Sequence, residues 1–262
     1  LFYFRKNTHL SAMKSYLPLY ALLFCFACDS TSEQNKNIST SAETTMTLSY
    51  DSVKKRFGDC KADSSIYCTQ VNFNYPVFKG GFEAEKLNDV FQNQLLTNYL
   101  KDSTSSSLNS HANDFIADYE KIKAQFEKAF GWQSSMNSEV IRNDSALIVI
   151  QTTLELYTGG AHGTYEVYFL NLDKKRSRFL TLADVFRSGY QSVLNTAVES
   201  HMGEKPGNDT SSNPYYNDNF ALLNDDILFY YNAYEITPYS NGPTEVKIPY
   251  GDLKSILKEE YK

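Results

Sequence analysis

The residues with the clearest chemical potential lie in Tyr157-Thr158-Gly159-Gly160-Ala161-His162-Gly163, directly after the strand-like run 146–156. Adjacent glycines permit backbone angles that a side chain forbids, and they let another group approach the main chain. His162 follows them, and an imidazole can donate, accept or ligate near neutral pH. A second polar-aromatic segment, Tyr230-Tyr231-Asn232-Ala233-Tyr234-Glu235-Ile236-Thr237-Pro238-Tyr239, lies downstream. If the two segments converge, Glu235 beside His162 makes a carboxylate–imidazole pair suited to general acid/base work. The same residues also read as a structural turn and a structural hydrogen bond.

Other chemistries lack their residues. No Gly-x-Ser-x-Gly elbow, no phosphate-cradling Gly-rich loop with lysine and no dinucleotide fingerprint occurs. A zinc site needs three or four suitable ligands, and His162, His111 and His201 have no ligand-spaced partners. No metal and no cofactor is expected. The net charge of −6, with no basic stripe, argues against nucleic acid. Tyrosine (20) and phenylalanine (17) are abundant, and tyrosine suits both half-buried strands and binding surfaces.

The N-terminal region reads as a targeting segment. Met13-Lys14 precedes a short apolar run that ends at Ala27-Cys28, too short to span a bilayer. Residues 1–28 are expected to be a leader and lipoprotein signal peptide, with Leu1–Ala12 upstream of the true start and lipid on Cys28. Cys25 stands where such signals usually carry leucine, and an ordinary secretory signal is the alternative. Residues 29–46 read as a disordered Ser/Thr-rich tether. Export makes the close pair Cys60 and Cys68 an expected disulfide, with two reduced thiols as the alternative.

Hydrophobic periodicity then places the elements that must position the chemistry. Strands are expected over 47–57, 66–78, 132–142, 146–157 and 165–172, and helices over 82–100 and 190–202. A helical stripe with core-facing Phe115, Ile116, Tyr119, Ile122, Phe126 and Phe130 is expected to end at Gly131. A hairpin over 221–231, a strand over 245–248 and a closing helix over 250–258 complete the chain. Strand runs and helix runs are segregated, which indicates an α+β fold with a largely antiparallel sheet and helices packed on it.

In order, Val71–Phe78, Leu87-Asn88, the glycine-histidine loop, Phe179–Phe186, Tyr230–Gly242 and Val246–Tyr250 resemble a family of bacterial exported domains. It includes the ectodomain of the lysozyme-sensing anti-sigma factor RsiV and the N-terminal part of PdaC-type peptidoglycan deacetylases. The resemblance covers roughly residues 66–258. It implies two closely associated subdomains, PdaC N-terminal-like over 47–167 and RsiV C-terminal-like over 168–262. It further implies an envelope ligand, either a protein such as a muramidase or a cell-wall glycan. The metal-binding motif of the deacetylase has no counterpart here. The expectation is therefore a non-catalytic, lipid-anchored envelope protein, with an envelope polymer hydrolase using His162 and Glu235 as the alternative. The binding residues expected are Tyr157, Gly159, Gly160, His162, Tyr234, Glu235 and Tyr239.

Overall fold

Alternation of apolar and polar residues sets the first hairpin. Strands β1 (Thr47–Gly58) and β2 (Cys68–Lys79) pair antiparallel from Thr47↔Lys79 to Gly58↔Cys68. The expected disulfide is present: Cys60 and Cys68 are bonded, with their Cα atoms 4.8 Å apart. The computed structural model describes residues 46–61, 66–80, 83–126, 128–203 and 215–261. The leader, Cys28 and all of the tether but Met46 lie outside these described residues.

Strands β3 (Gln133–Asn143), β4 (Leu147–Tyr157), β5 (Thr164–Asp173) and β6 (Arg178–Phe179) complete a six-stranded sheet in sequence order. Every pairing is antiparallel except β2–β3. A parallel pair needs a crossover. Here it is made by α1 (Ala84–Gln94), a π-helical turn (Leu95–Tyr99) and α2 (Leu108–Gln125). A second sheet, β7 (Phe220–Leu222), β8 (Asp226–Tyr231) and β9 (Thr244–Pro249), is antiparallel throughout. The short α3 (Leu182–Val185) and α4 (Gln191–His201) precede it. The fold is thus α+β and largely antiparallel, as its sequence indicates.

At β4 and β5 the large sheet is buried on both faces. On β4, Ile148, Ile150 and Leu154 join the core made with β2, α1 and α2, whereas Leu147 and Val149 join the core made with α4 and β7–β9. Period-two alternation sends neighbouring residues to opposite faces, so one apolar strand serves both cores. On β5, Val167 and Phe169 face the second core and Leu172 the first. The 167/168 division suggested by the resemblance therefore falls inside a strand that both cores share.

Two expected elements differ. Helix α2 begins at Leu108, where the Ser107 hydroxyl accepts from the Ser110 amide, and stops at Gln125, because Phe126 is extended. Phe126 and Phe130 are consequently exposed, and Phe130 stacks on Tyr67 at 6.2 Å. The closing helix is only a 3-10 turn, Tyr250–Leu253, followed by a bridge from Leu257 to Phe186.

Candidate functional site

The β4–β5 hairpin carries the glycine-histidine loop at its tip. Gly159 and Gly160 both have positive φ, +98° and +101°, with open space around them. The Tyr157 hydroxyl donates to the Gly160 carbonyl at 3.2 Å. Gly163 is constrained differently, since a Cβ there would sit 2.7 Å from the Leu156 carbonyl oxygen. Gly160→Val is therefore expected to cost roughly 1–3 kcal/mol through left-handed backbone strain. His162 is exposed, so His162→Ala should stay within about 0.5 kcal/mol of the parent. Thermal melts of the two variants check this, and equal small losses would mean the loop is not held as described.

The downstream segment is anchored by asparagines. Buried Asn232 accepts from the Val167 amide at 2.7 Å and donates to the Val167 carbonyl at 3.2 Å. Asn219 accepts from the Phe169 amide and donates to the same Val167 carbonyl. Asn171 reaches back to the Phe220 carbonyl and the Leu222 amide. These side chains take the place of a missing ladder along the edge of β5, where among the described residues no strand but the short β6 is paired.

Beyond Asn232 the chain turns sharply. Tyr234 has φ +72°, its amide donates to the Thr237 carbonyl, and a 3-10 turn covers Tyr239–Asn241. The result is convergence of the two segments. Tyr239 stacks on His162 at 5.0 Å between ring centroids, with 22° between planes. Tyr234 stacks on Tyr239 at 5.3 Å and 26°. The three rings form one ridge, with Tyr234 67% and Tyr239 44% exposed. The Nδ1 atom of His162 lies 2.9 Å from the Gly163 carbonyl oxygen, which can only accept, so Nδ1 is the donor.

Glu235 is not in this ridge. It accepts from the Asn217 side chain at 3.3 Å and makes no hydrogen bond or ion pair with His162. The expected group thus divides: Tyr157, Gly159, Gly160, His162, Tyr234 and Tyr239 come together, and Glu235 faces a neighbouring cleft.

Two other histidine clusters were not anticipated from the sequence. Ser200, His201 and Asp252 line up, with the Ser200 hydroxyl 3.2 Å from His201 Nδ1 and Asp252 3.1 Å from Nε2. Yet Nδ1 is also 2.9 Å from the Ala197 carbonyl, to which Ser200 donates too. A nitrogen that donates to a carbonyl cannot take a proton from serine, so this group caps the end of α4. His111 bonds Asp102 at 2.7 Å. Burial pushes the Asp102 carboxyl up, but hydrogen bonds from Ser105, His111 and Thr104 outweigh it and hold the group well below the usual carboxylate range. Among the described residues no three His, Cys, Asp or Glu side chains are grouped to hold a metal ion.

A sheet packed by α1 and α2 on one face and by α4 and a small three-stranded sheet on the other defines the architecture. Residues 63–165 match the family model described as "Deacetylase PdaC", and residues 183–251 match "Protein of unknown function (DUF3298)". The two matches fall in the order expected from the sequence, a PdaC segment followed by a DUF3298 segment, and agree with the resemblance drawn from it. A solved DUF3298-family structure from Bacteroides fragilis is 24% identical, covers 83% of this chain and 95% of its own, and superposes with a TM-score of 0.66. Another, from Pseudomonas aeruginosa PAO1, is 22% identical over 84% of this chain and 97% of its own, with a TM-score of 0.58. At these identities both establish the fold. Immunogenic proteins MPB64 of Mycobacterium bovis and MPT64 of Mycobacterium tuberculosis are each 25% identical over 107 residues, 38% of this chain. The chain spans 47% of the length of these relatives.

Proposed function

We propose that this protein is a non-catalytic binding module of the bacterial cell envelope. It is exported, held by lipid on Cys28, and recognises a basic protein partner such as a muramidase through the His162–Tyr239–Tyr234 ridge. The observation that carries the reading is Tyr234. A non-glycine residue at φ +72° is strained, and here it supplies a largely exposed ring to the stack. Such strain persists where the surroundings enforce it and clusters at functional sites. Exposed tyrosines that keep few rotamers are well suited to be interface anchors.

Charge supports the same partner. The chain carries −6 overall, and Glu155, beside Tyr157 and Tyr165, lines a shallow hollow next to the loop. A negative surface steers a basic protein and loses that attraction as salt rises. The Cys60–Cys68 disulfide accords with an oxidising compartment. No helix of the described residues is long and apolar enough to cross a membrane. A cell-wall glycan is the second ligand class that the PdaC resemblance offers. The hydrolase alternative needs His162 and Glu235 in one cleft, and it is weakened because Glu235 lines the neighbouring cleft without His162.

The test is calorimetric titration of the full chain with a basic lysozyme and with muropeptides, beside a turnover assay on peptidoglycan. Tyr234→Gly relaxes the backbone, so the fold should be at least as stable. Its affinity for the lysozyme should nevertheless fall at least about tenfold, as for an anchor residue. Unchanged affinity in both Tyr234→Gly and Tyr239→Ala would overturn the ridge. Turnover abolished by both His162→Ala and Glu235→Gln would promote the enzyme.

A further inference from the structure

Beside the ridge lies a cleft of about 710 Å³, between the π-helical turn, β5 and the segment before β7. Its aromatic wall is Tyr99 stacked on Tyr168, with centroids 4.3 Å apart and planes within 8°. Gln94, Lys101, Asp218 and Glu235 also line it. We propose that this cleft binds a neutral saccharide, a site separate from the aromatic ridge and independent of it.

The composition selects that ligand. Among the described lining residues, one cation against two carboxylates disfavours phosphates, so nucleotides and phospholipid headgroups are poor occupants. The charged and carboxamide rim disfavours an acyl chain. What the cleft does offer, within one lining, is donors (Lys101, Gln94) and acceptors (Asp218, Glu235) beside aromatic rings. A sugar hydroxyl is donor and acceptor at once, and a pyranose has apolar C–H faces that match aromatic side chains. The volume falls within the usual range of small-molecule sites, about 300–1,000 Å³.

Backbone irregularities gather at the same place. Tyr99 ends a π-helical turn, a conformation frequent at functional sites. Lys101 has φ +56°, in the position after the turn where helices normally place glycine. Its amine donates to the Asn98 carbonyl and lies 5.7 Å from the Tyr168 ring centroid. A glycine at 101 would close the helix end with less strain, yet the chain keeps a lysine whose head group lies at the cleft. The charge of Glu235 also reaches Tyr168. Burial, the Glu166 hydrogen bond and the Glu166 and Glu235 charges push its hydroxyl pKa up.

The experiment is titration of the full chain with chitotetraose and maltotetraose, both neutral, and with tetragalacturonate as an anionic control. We expect saturable binding of at least one neutral tetrasaccharide at millimolar or lower concentration, and none of the anion. Lys101→Gly, which relaxes the fold, and Asp218→Asn, on the exposed rim, should each weaken it about tenfold by removing a charged hydrogen bond. Tyr239→Ala should leave it unchanged. Absence of saturable binding for both neutral sugars would overturn the proposal. So would binding that Lys101→Gly and Asp218→Asn leave intact, or that Tyr239→Ala abolishes. Loss of lysozyme binding in Tyr234→Gly, with saccharide binding retained, would support the ridge and the cleft as two sites.

Discussion

Gly131→Ala is expected to destabilise the protein by about 3 kcal/mol, the upper end of what an overpacked methyl group costs. For a domain of this size the melting temperature should fall by about 6–12 °C. Gly131 does not need an unusual φ; it needs room. A Cβ at this position would lie 2.3 Å from the Cys68 carbonyl oxygen and 2.4 Å from its carbon, both backbone atoms. Neither side of the contact can retreat. The Gly131 amide donates to the Ile66 carbonyl, the Gln70 amide to the Trp132 carbonyl, and the Trp132 amide to the Thr69 hydroxyl. Cys68 is itself held by the disulfide and by its pairing with Gly58. These bonds open the single parallel pairing, β2–β3, so the collision falls where the crossover closes the sheet. Gly203→Ala is the control, because open space surrounds that position and its φ is not positive. Chemical denaturation of the two variants decides the matter: equal, small losses would refute the close approach.

That role of Gly131 was illegible in the sequence. Read along the chain, a glycine after an apolar helical stripe looks like a helix stop. The helix in fact ends at Gln125, and the glycine answers to a backbone far upstream. Phe126 and Phe130 mislead for the same reason, since their spacing continues the stripe after the backbone has left the helix. Tyr250–Leu253 shows the converse, a helical spacing too short and too interrupted by Gly251 to propagate beyond one 3-10 turn. The strands were far more legible. Alternation in 66–78 and 165–172 and the apolar run in 146–157 each mark a real strand, because pleating forces period two wherever a face is buried.

The candidate site divides along similar lines. Positive φ at Gly159 and Gly160 follows from local chemistry, and so was readable. The stack of His162 on Tyr239 joins segments widely separated in sequence, and it depends on the second sheet lying against β5. Residue types announced that Glu235 and His162 were both available for chemistry. Which partner each would take depended on a turn with Tyr234 in the left-handed region, a conformation that no local signal of tyrosine suggests.

Asn232→Ala should produce the other large loss, about 3 kcal/mol, although it removes only a small polar group. The Tyr-Tyr-Asn run that carries the family resemblance looks like a surface motif, yet Asn232 is 5% exposed. Its carboxamide does what a strand would do, accepting from the Val167 amide and donating to the Val167 carbonyl. Alanine leaves the Val167 amide buried without its acceptor, and an unsatisfied buried donor costs roughly 1–3 kcal/mol by itself. The lost donor adds to that, and the docking of the second sheet against β5 weakens with both. Asn219 shares the Val167 carbonyl, at 2.8 Å. The pair should therefore couple, with Asn219→Ala and Asn232→Ala together departing from additivity by at least about 0.5 kcal/mol. A cycle of denaturation curves measures this directly. Small, additive losses would mean that apolar packing across the second core, from Val167 and Phe169 to Phe229 and Tyr230, holds the sheets together without the clamp. Strong coupling would also reach the ridge. Asn232 lies two residues before Tyr234, and its carbonyl accepts from the Glu235 amide. Asn232→Ala should then lower the affinity for a basic lysozyme even though the side chain is buried beneath the surface that touches it.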